Sequence, residues 1–332
     1  MSLGALLSAL SRFRGLPPEP RYPLPEGTTP PDWIVAVAGA LHRLAEDPSA
    51  GERALALDRL AAAPFADGVE KDIGRVRLVG DTVLILDNPA RINQGLKDTC
   101  AVTSIESWLA QHEPAEYARL VEGLVSPAGT VLLRGGATLR RDEQVFLWSA
   151  QEGRRSPVSR ILQAALMEAA TPTLDYRNSR AGHLDASGQI VSGLDLLESD
   201  SLLESIFAEE WSVFRPAEAR LAAMFGHKGV PRLPEDIPLV LAHAAARGRP
   251  VFAVLNVPPH PSLTGHAALP HKVRLLDVDA DWVVYEDPLD PAEPWMPQVR
   301  TEVISGYGRC RIAAADFARI LEAVSFPAGF TR

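Results

Sequence analysis

Apolar and polar positions change period several times along the chain, and each change marks an element. Between Gly15 and Pro31 prolines are dense and periodic apolar residues few, which reads as a linker. Trp33, Val35, Val37 and Leu41 then give a helical character to a segment that starts at Asp32. A second helix, rich in Ala and Leu, is expected from Glu52 to Ala63. The period shortens at Arg75, where RVRLV and TVLIL flank Gly80-Asp81, a pair suited to a tight turn; this predicts a β-hairpin. After Asn88-Pro89 the segment RINQGLKDTC is polar and carries a glycine. It opens into AVTSIESWLAQ, with helical spacing at Val102, Ile105 and Leu109. TVLL and ATLR around Gly135-Gly136 predict another hairpin.

From Pro157 to Gly248 the pattern is mainly helical, with segments at Ile161 to Ala170, Leu194 to Glu210, Pro216 to Phe225 and Glu235 to Arg247. The block LDLLESDSLLESIFAEE places acidic residues on one face, as a solvated surface does. The texture then turns to short β-branched runs separated by turns: PVFAVLNV, KVRLLDV and WVVYED. These predict an antiparallel sheet, closed by a helix from Asp316 to Val324. Helices first and a sheet afterwards imply an α+β layout. No internal repeat is visible.

Composition narrows the class. The 332 residues are 46% apolar and 23% charged, as in proteins that bury a core. A net charge of -9 argues against sequence-independent nucleic-acid binding, which relies on basic patches. No segment reads as apolar enough to span a bilayer. The N-terminal MSLGALLSALSRFRG lacks the basic start and long apolar core of a secretory signal. The expected location is therefore cytoplasmic, with export by a signal-independent route left open. Two cysteines, Cys100 and Cys310, make no disulfide framework.

The candidate chemistry centres on Cys100. It falls where a glycine-bearing loop runs into a helix, so unpaired backbone N–H groups and the helix dipole would favour its thiolate. Most free cysteines are small buried hydrophobes, but Gln94 changes the weighting. A side-chain amide just upstream can donate to the oxyanion of a tetrahedral intermediate, with the Cys100 N–H as second donor. Gly95 lets the chain turn tightly there. The base must come from elsewhere in the sequence. His271 heads one predicted strand and Asp287 ends the next, so a hairpin brings them to the same end of the sheet. There the carboxylate can orient the imidazole.

NQGLKDTCAVTS resembles the active-site segment of papain-like cysteine peptidases, in which a glutamine precedes the cysteine by six residues. RGRPVFAVLNV and HKVRLLDVDADWVVYEDPLD resemble the second half of bacterial papain-like peptidases related to the bacteriocin leader-processing enzymes. The resemblance spans about residues 85 to 325 and is specific in these two blocks. It implies a papain-like α+β fold, with a helical half bearing the nucleophile at a helix N-terminus packed on an antiparallel sheet. It makes Cys100 the nucleophile, His271 the base, Asp287 the third member and Gln94 the oxyanion donor, acting on a peptide or amide without a cofactor. Residues 1–70 would be linker and helical extension, and 71–332 the hydrolase domain with a helical insertion around 157–248. The extension and the acidic insertion are the places where a protein partner would dock. Two features depart from the pattern: Ala101 follows the cysteine where many relatives have tryptophan, and His266 rivals His271 as base.

His260, His266, His271 and Asp287 lie close in sequence, but Pro258, Pro259, Pro261, Gly265 and Pro270 exclude the helix on which such histidines bind zinc, so no metal is expected. Gly135-Gly136 lacks the Lys-Ser/Thr of a phosphate loop. Cys310 reads as structural. A catalytically inactive binding module, or a deamidase or transglutaminase-type acyl transferase, are the alternatives on the same scaffold.

Overall fold

The computed structural model of the chain describes residues 28–47, 51–95, 97–142, 145, 155–178, 182–184, 190–191, 193–227, 230–257, 269–289, 301–304 and 308–331. They form a mixed α+β protein with two compact units, one built from Met1–Leu133 and Ala137–Ser192, the other from Arg134–Gly136 and Gly193–Arg332. Most of the expected proline-rich linker lies outside the described residues.

The first unit is mostly helical. Helix α1 (Pro30–Glu46) begins two residues earlier than the apolar pattern predicts. Thr29 and Asp32 form a reciprocal cap, and Pro30-Pro31 occupy the first turn, where a missing N–H costs nothing. Helix α2 (Gly51–Ala62) matches expectation. Helix α3 (Asp67–Asp72) follows, and then α4 (Arg75–Asp87), where a hairpin was expected. Gly80-Asp81 is no turn. A Cβ on Gly80 would lie 2.5 Å from the Trp33 ring, so the glycine lets α1 and α4 meet closely. Asp81 accepts from Trp33 Nε1 at 2.8 Å and from Arg77 Nε, one turn back, at 2.6 Å. Every residue from Leu78 to Leu86 is buried, so this helix has no polar face to reveal its period.

A 3-10 turn (Pro89–Arg91) leads into the loop before α5 (Cys100–His112), and α6 (Pro114–Val125) follows. The predicted hairpin around Gly135-Gly136 is present as β1 (Thr130–Leu132) and β2 (Thr138–Arg140). Helix α7 (Pro157–Ala170) starts at a Ser156 cap, earlier than its apolar spacing suggests. A small antiparallel sheet, β3 (Asp175–Arg177), β4 (Gly182–Leu184) and β5 (Ile190–Val191), stands between the expected helices Ile161 to Ala170 and Leu194 to Glu210, in a stretch whose pattern reads as mainly helical.

In the second unit come α8 (Leu196–Phe207), β6 (Trp211–Phe214), α9 (Pro216–Met224) and α10 (Ile237–Ala246). Then follow β7 (Val251–Val257), β8 (Leu269–Val278), β9 (Trp282–Glu286), β10 (Thr301–Val303), β11 (Arg309–Ala313), α11 (Ala314–Ile320) and β12 (Leu321–Pro327). Their seven-stranded antiparallel sheet has the order β10-β11-β9-β8-β7-β12-β6. The closing helix expected to reach Val324 ends at Ile320, and Leu321 onward is a strand between β7 and β6. Val251, Ala253 and Leu255 of β7 join Val240 of α10 and Phe317 of α11 in one apolar core. Phe252 points to the opposite face, where it meets Trp211.

Candidate active site

Cys100 opens α5 and is partly exposed, whereas Ala101 to Ala110 are all buried. The helix packs into the unit with its polar side chains Thr103, Ser104, Glu106 and Ser107 buried beside the apolar Val102, Ile105 and Leu109. Thr99 takes the cap position without a side-chain capping bond; its carbonyl accepts from the Thr103 N–H at 2.9 Å and from the Thr103 hydroxyl at 2.8 Å. Cys100 thus stands at the helix end to which the positive end of the backbone dipole belongs.

The loop before it is held by buried polar groups. Gly95 has a φ of 61° and donates its N–H to Asn93 Oδ1 at 3.0 Å, a turn that a side chain at this position would strain. Gln94 is buried, and its Nε2 donates to the Lys97 carbonyl at 2.7 Å. That bond uses one of the two amide hydrogens and fixes the orientation of the group. Lys97 is wholly buried and donates from Nζ to the Asn178 carbonyl at 2.7 Å. The Asn178 side chain in turn accepts from Arg155 at 2.8 Å.

Behind the loop lies Glu106, one of the residues that sequence reasoning missed. Its carboxylate accepts from Gln163 Nε2 at 2.7 Å, Ser159 Oγ at 2.9 Å and Tyr117 OH at 3.2 Å. Burial pushes its pKa up to about 7, although these donors and the nearby Arg155 charge pull the other way. A lone Glu in SIESWL carries no signal of this kind, because its partners lie on α6 and α7.

The second unit holds the imidazole. His271 is the third residue of β8 and pairs in register with Leu255 of β7. Arg274 of β8 faces Glu286 of β9, and one further step puts Asp287 opposite Val273, with His271 as a diagonal neighbour on the same face. The side chains meet: His271 Nε2 lies 2.8 Å from Asp287 Oδ1, and both residues are buried. Asp287 Oδ1 also accepts from the Leu289 N–H at 2.9 Å. The Asp287 N–H donates to the Gly308 carbonyl at 2.6 Å. Gly308 has a φ of 72°, and a Cβ there would approach the Asp287 carbonyl oxygen to 2.5 Å.

Cys310 sits across from Tyr285 in the β11–β9 register. Burial, and next the Asp287 charge, push its thiol up to about 12, so it is protonated at neutral pH. His260 and His266 lie outside the described residues. Among the described residues no three His, Cys, Asp or Glu side chains are grouped to hold a metal, and no helix is long and apolar enough to cross a membrane. The structure thus brings His271 and Asp287 together in the second unit, and sets Gln94 and Cys100 on a half-buried loop and the helix start it leads into in the first.

No protein-family model matches the chain, and a search of curated proteins finds no match either.

Proposed function

We propose that the protein is a cysteine hydrolase that cleaves a peptide or amide bond through Cys100, with His271 as base, Asp287 orienting it and Gln94 donating to the oxyanion. The observation that carries the reading is the buried hydrogen bond between His271 Nε2 and Asp287 Oδ1 at 2.8 Å. A carboxylate at Nε2 fixes the tautomer, so proton exchange with a thiol falls to Nδ1. The partly exposed Cys100 at a helix start supports the nucleophile's part.

In this reaction the Cys100 thiolate attacks the carbonyl carbon, forming a C–S bond and a tetrahedral oxyanion. The Cys100 N–H and the second amide hydrogen of Gln94 stabilise that charge. Collapse breaks the C–N bond, and the His271 imidazolium gives its proton to the leaving amine. Water, losing a proton to His271, attacks the thioester; the C–S bond breaks and the acid is released. An amine in place of water makes the same chemistry an acyl transfer.

The test is alkylation of Cys100 by iodoacetamide across pH in wild type, His271→Ala and Cys310→Ala. Fast labelling below neutral pH that is lost in His271→Ala and kept in Cys310→Ala is the expected result. Labelling that rises only near the pKa of an ordinary thiol, and ignores His271, would instead favour a non-catalytic binding module.

A further inference from the structure

We infer that Gln163 on α7 is a positioning residue for this chemistry: its side-chain amide ties both ends of the segment that carries Gln94 and leads to Cys100 to the buried Glu106. The inference rests on the cysteine-hydrolase reading and adds a residue to it.

Gln163 Nε2 donates to the Asn93 carbonyl at 3.2 Å and to Glu106 Oε2 at 2.7 Å. Its Oε1 accepts from the Thr99 hydroxyl at 3.1 Å. Asn93 immediately precedes Gln94, and Thr99 immediately precedes Cys100. One amide therefore spans the segment, using both its hydrogens and its oxygen, and no other residue type of that length offers the same set. Gln163, Thr99 and Glu106 are wholly buried, so water does not compete for the bonds among them, while the bond to the half-buried Asn93 is partly sheltered. Between the two anchors lies Gly95 in the left-handed region, where the backbone is least restrained by its own side chain. The anchors thus set where the Gln94 amide stands relative to the Cys100 N–H. Placement of oxyanion donors is the part of such a reaction most sensitive to small displacement.

Two reactions of the same thiol separate positioning from simple support of the fold. Acylation of Cys100 by p-nitrophenyl acetate passes through a tetrahedral oxyanion, whereas alkylation by iodoacetamide is a displacement at a saturated carbon and makes none. Both rates are measured on the full chain for wild type, Gln163→Leu, Thr99→Val and Thr99→Ser, with Cys100→Ala as the blank. In Gln163→Leu acylation should fall roughly tenfold to a hundredfold while alkylation stays within about twofold. Thr99→Val should shift the ratio in the same direction by less, and Thr99→Ser, which keeps the hydroxyl, should restore it. If Gln163→Leu does not fold, the Thr99 pair decides alone. An unchanged acylation-to-alkylation ratio in folded variants overturns the inference and leaves the hydrolase reading standing. A wild-type Cys100 that, after subtraction of the Cys100→Ala blank, acylates no faster than in the urea-unfolded chain overturns both.

Discussion

At the scale of single residues, Glu106 and Gly308 make the sharpest demands. Glu106 has its carboxyl raised from 4.5 to about 7 by burial, so its folded-state pKa lies above its unfolded value. The fold then holds the protonated form better: its advantage is complete below pH 4.5 and is lost as pH rises through about 7. Wild type should lose on the order of a few kcal/mol of stability across that window from this group alone. Glu106→Gln should flatten that part of the pH dependence, whatever constant offset it adds, as read by urea unfolding at several pH values. Gly308 combines a φ of 72° with a close approach to the Asp287 carbonyl. Gly308→Ala should cost about 1–3 kcal/mol and shift Asp287. If Asp287 orients the base, labelling of Cys100 should slow in Gly308→Ala, as is expected for Asp287→Ala. An unfolding midpoint that drops with labelling unchanged would detach Asp287 from the reaction. Neither residue's part was legible in the sequence, since a glutamate in a helix and a glycine beside a strand look the same with or without such partners.

Among the elements, α4 shows how packing overrules local preference. A glycine inside a helix is about 1 kcal/mol worse than alanine by intrinsic propensity, so Gly80→Ala would stabilise an isolated helix. Here the added Cβ would meet the Trp33 ring at 2.5 Å, and overpacking of this kind costs about 1–3 kcal/mol. Gly80→Ala is therefore expected to lower the thermal midpoint. A rise would mean that α1 yields easily. The hairpin expectation failed for the same reason: Val, Thr and Ile runs around Gly-Asp imitate a turn when a helix is buried on every side and shows no polar stripe. Strand β12 was read as the end of a helix because Leu321 to Val324 continue an apolar pattern that the register with β7 and β6 resolves. As an inner strand it cannot be spared. A chain ending at Ile320 should lose the protease resistance of the second unit, because β6 loses its sheet neighbour.

For the whole molecule, Gln94 and Cys100 belong to one unit and His271 and Asp287 to the other, so each half of the proposed reaction is tested by its own variants. Cys100→Ala should abolish turnover with little effect on folding. His271→Ala should slow acylation more than Asp287→Ala, since losing the base outweighs losing the group that orients it. Equal rates for Asp287→Ala and wild type would remove Asp287 from the reaction. Much of this plan was legible beforehand. The strand runs VFAVLNV, HKVRLLDV and WVVYE announced themselves by β-branched residues between turns, and the hairpin they imply already set His271 near Asp287. The start of α5 at Cys100 followed from a polar glycine loop running into an apolar period. Such features are local, fixed by neighbours a few residues apart. What only the tertiary structure decided is everything that depends on distant partners: the helix at Arg75–Asp87, the strands β6 and β12 at the sheet's far side, and the buried amide of Gln163 reaching Asn93, Thr99 and Glu106. Burial and long-range hydrogen bonding set those, and a one-dimensional pattern records neither.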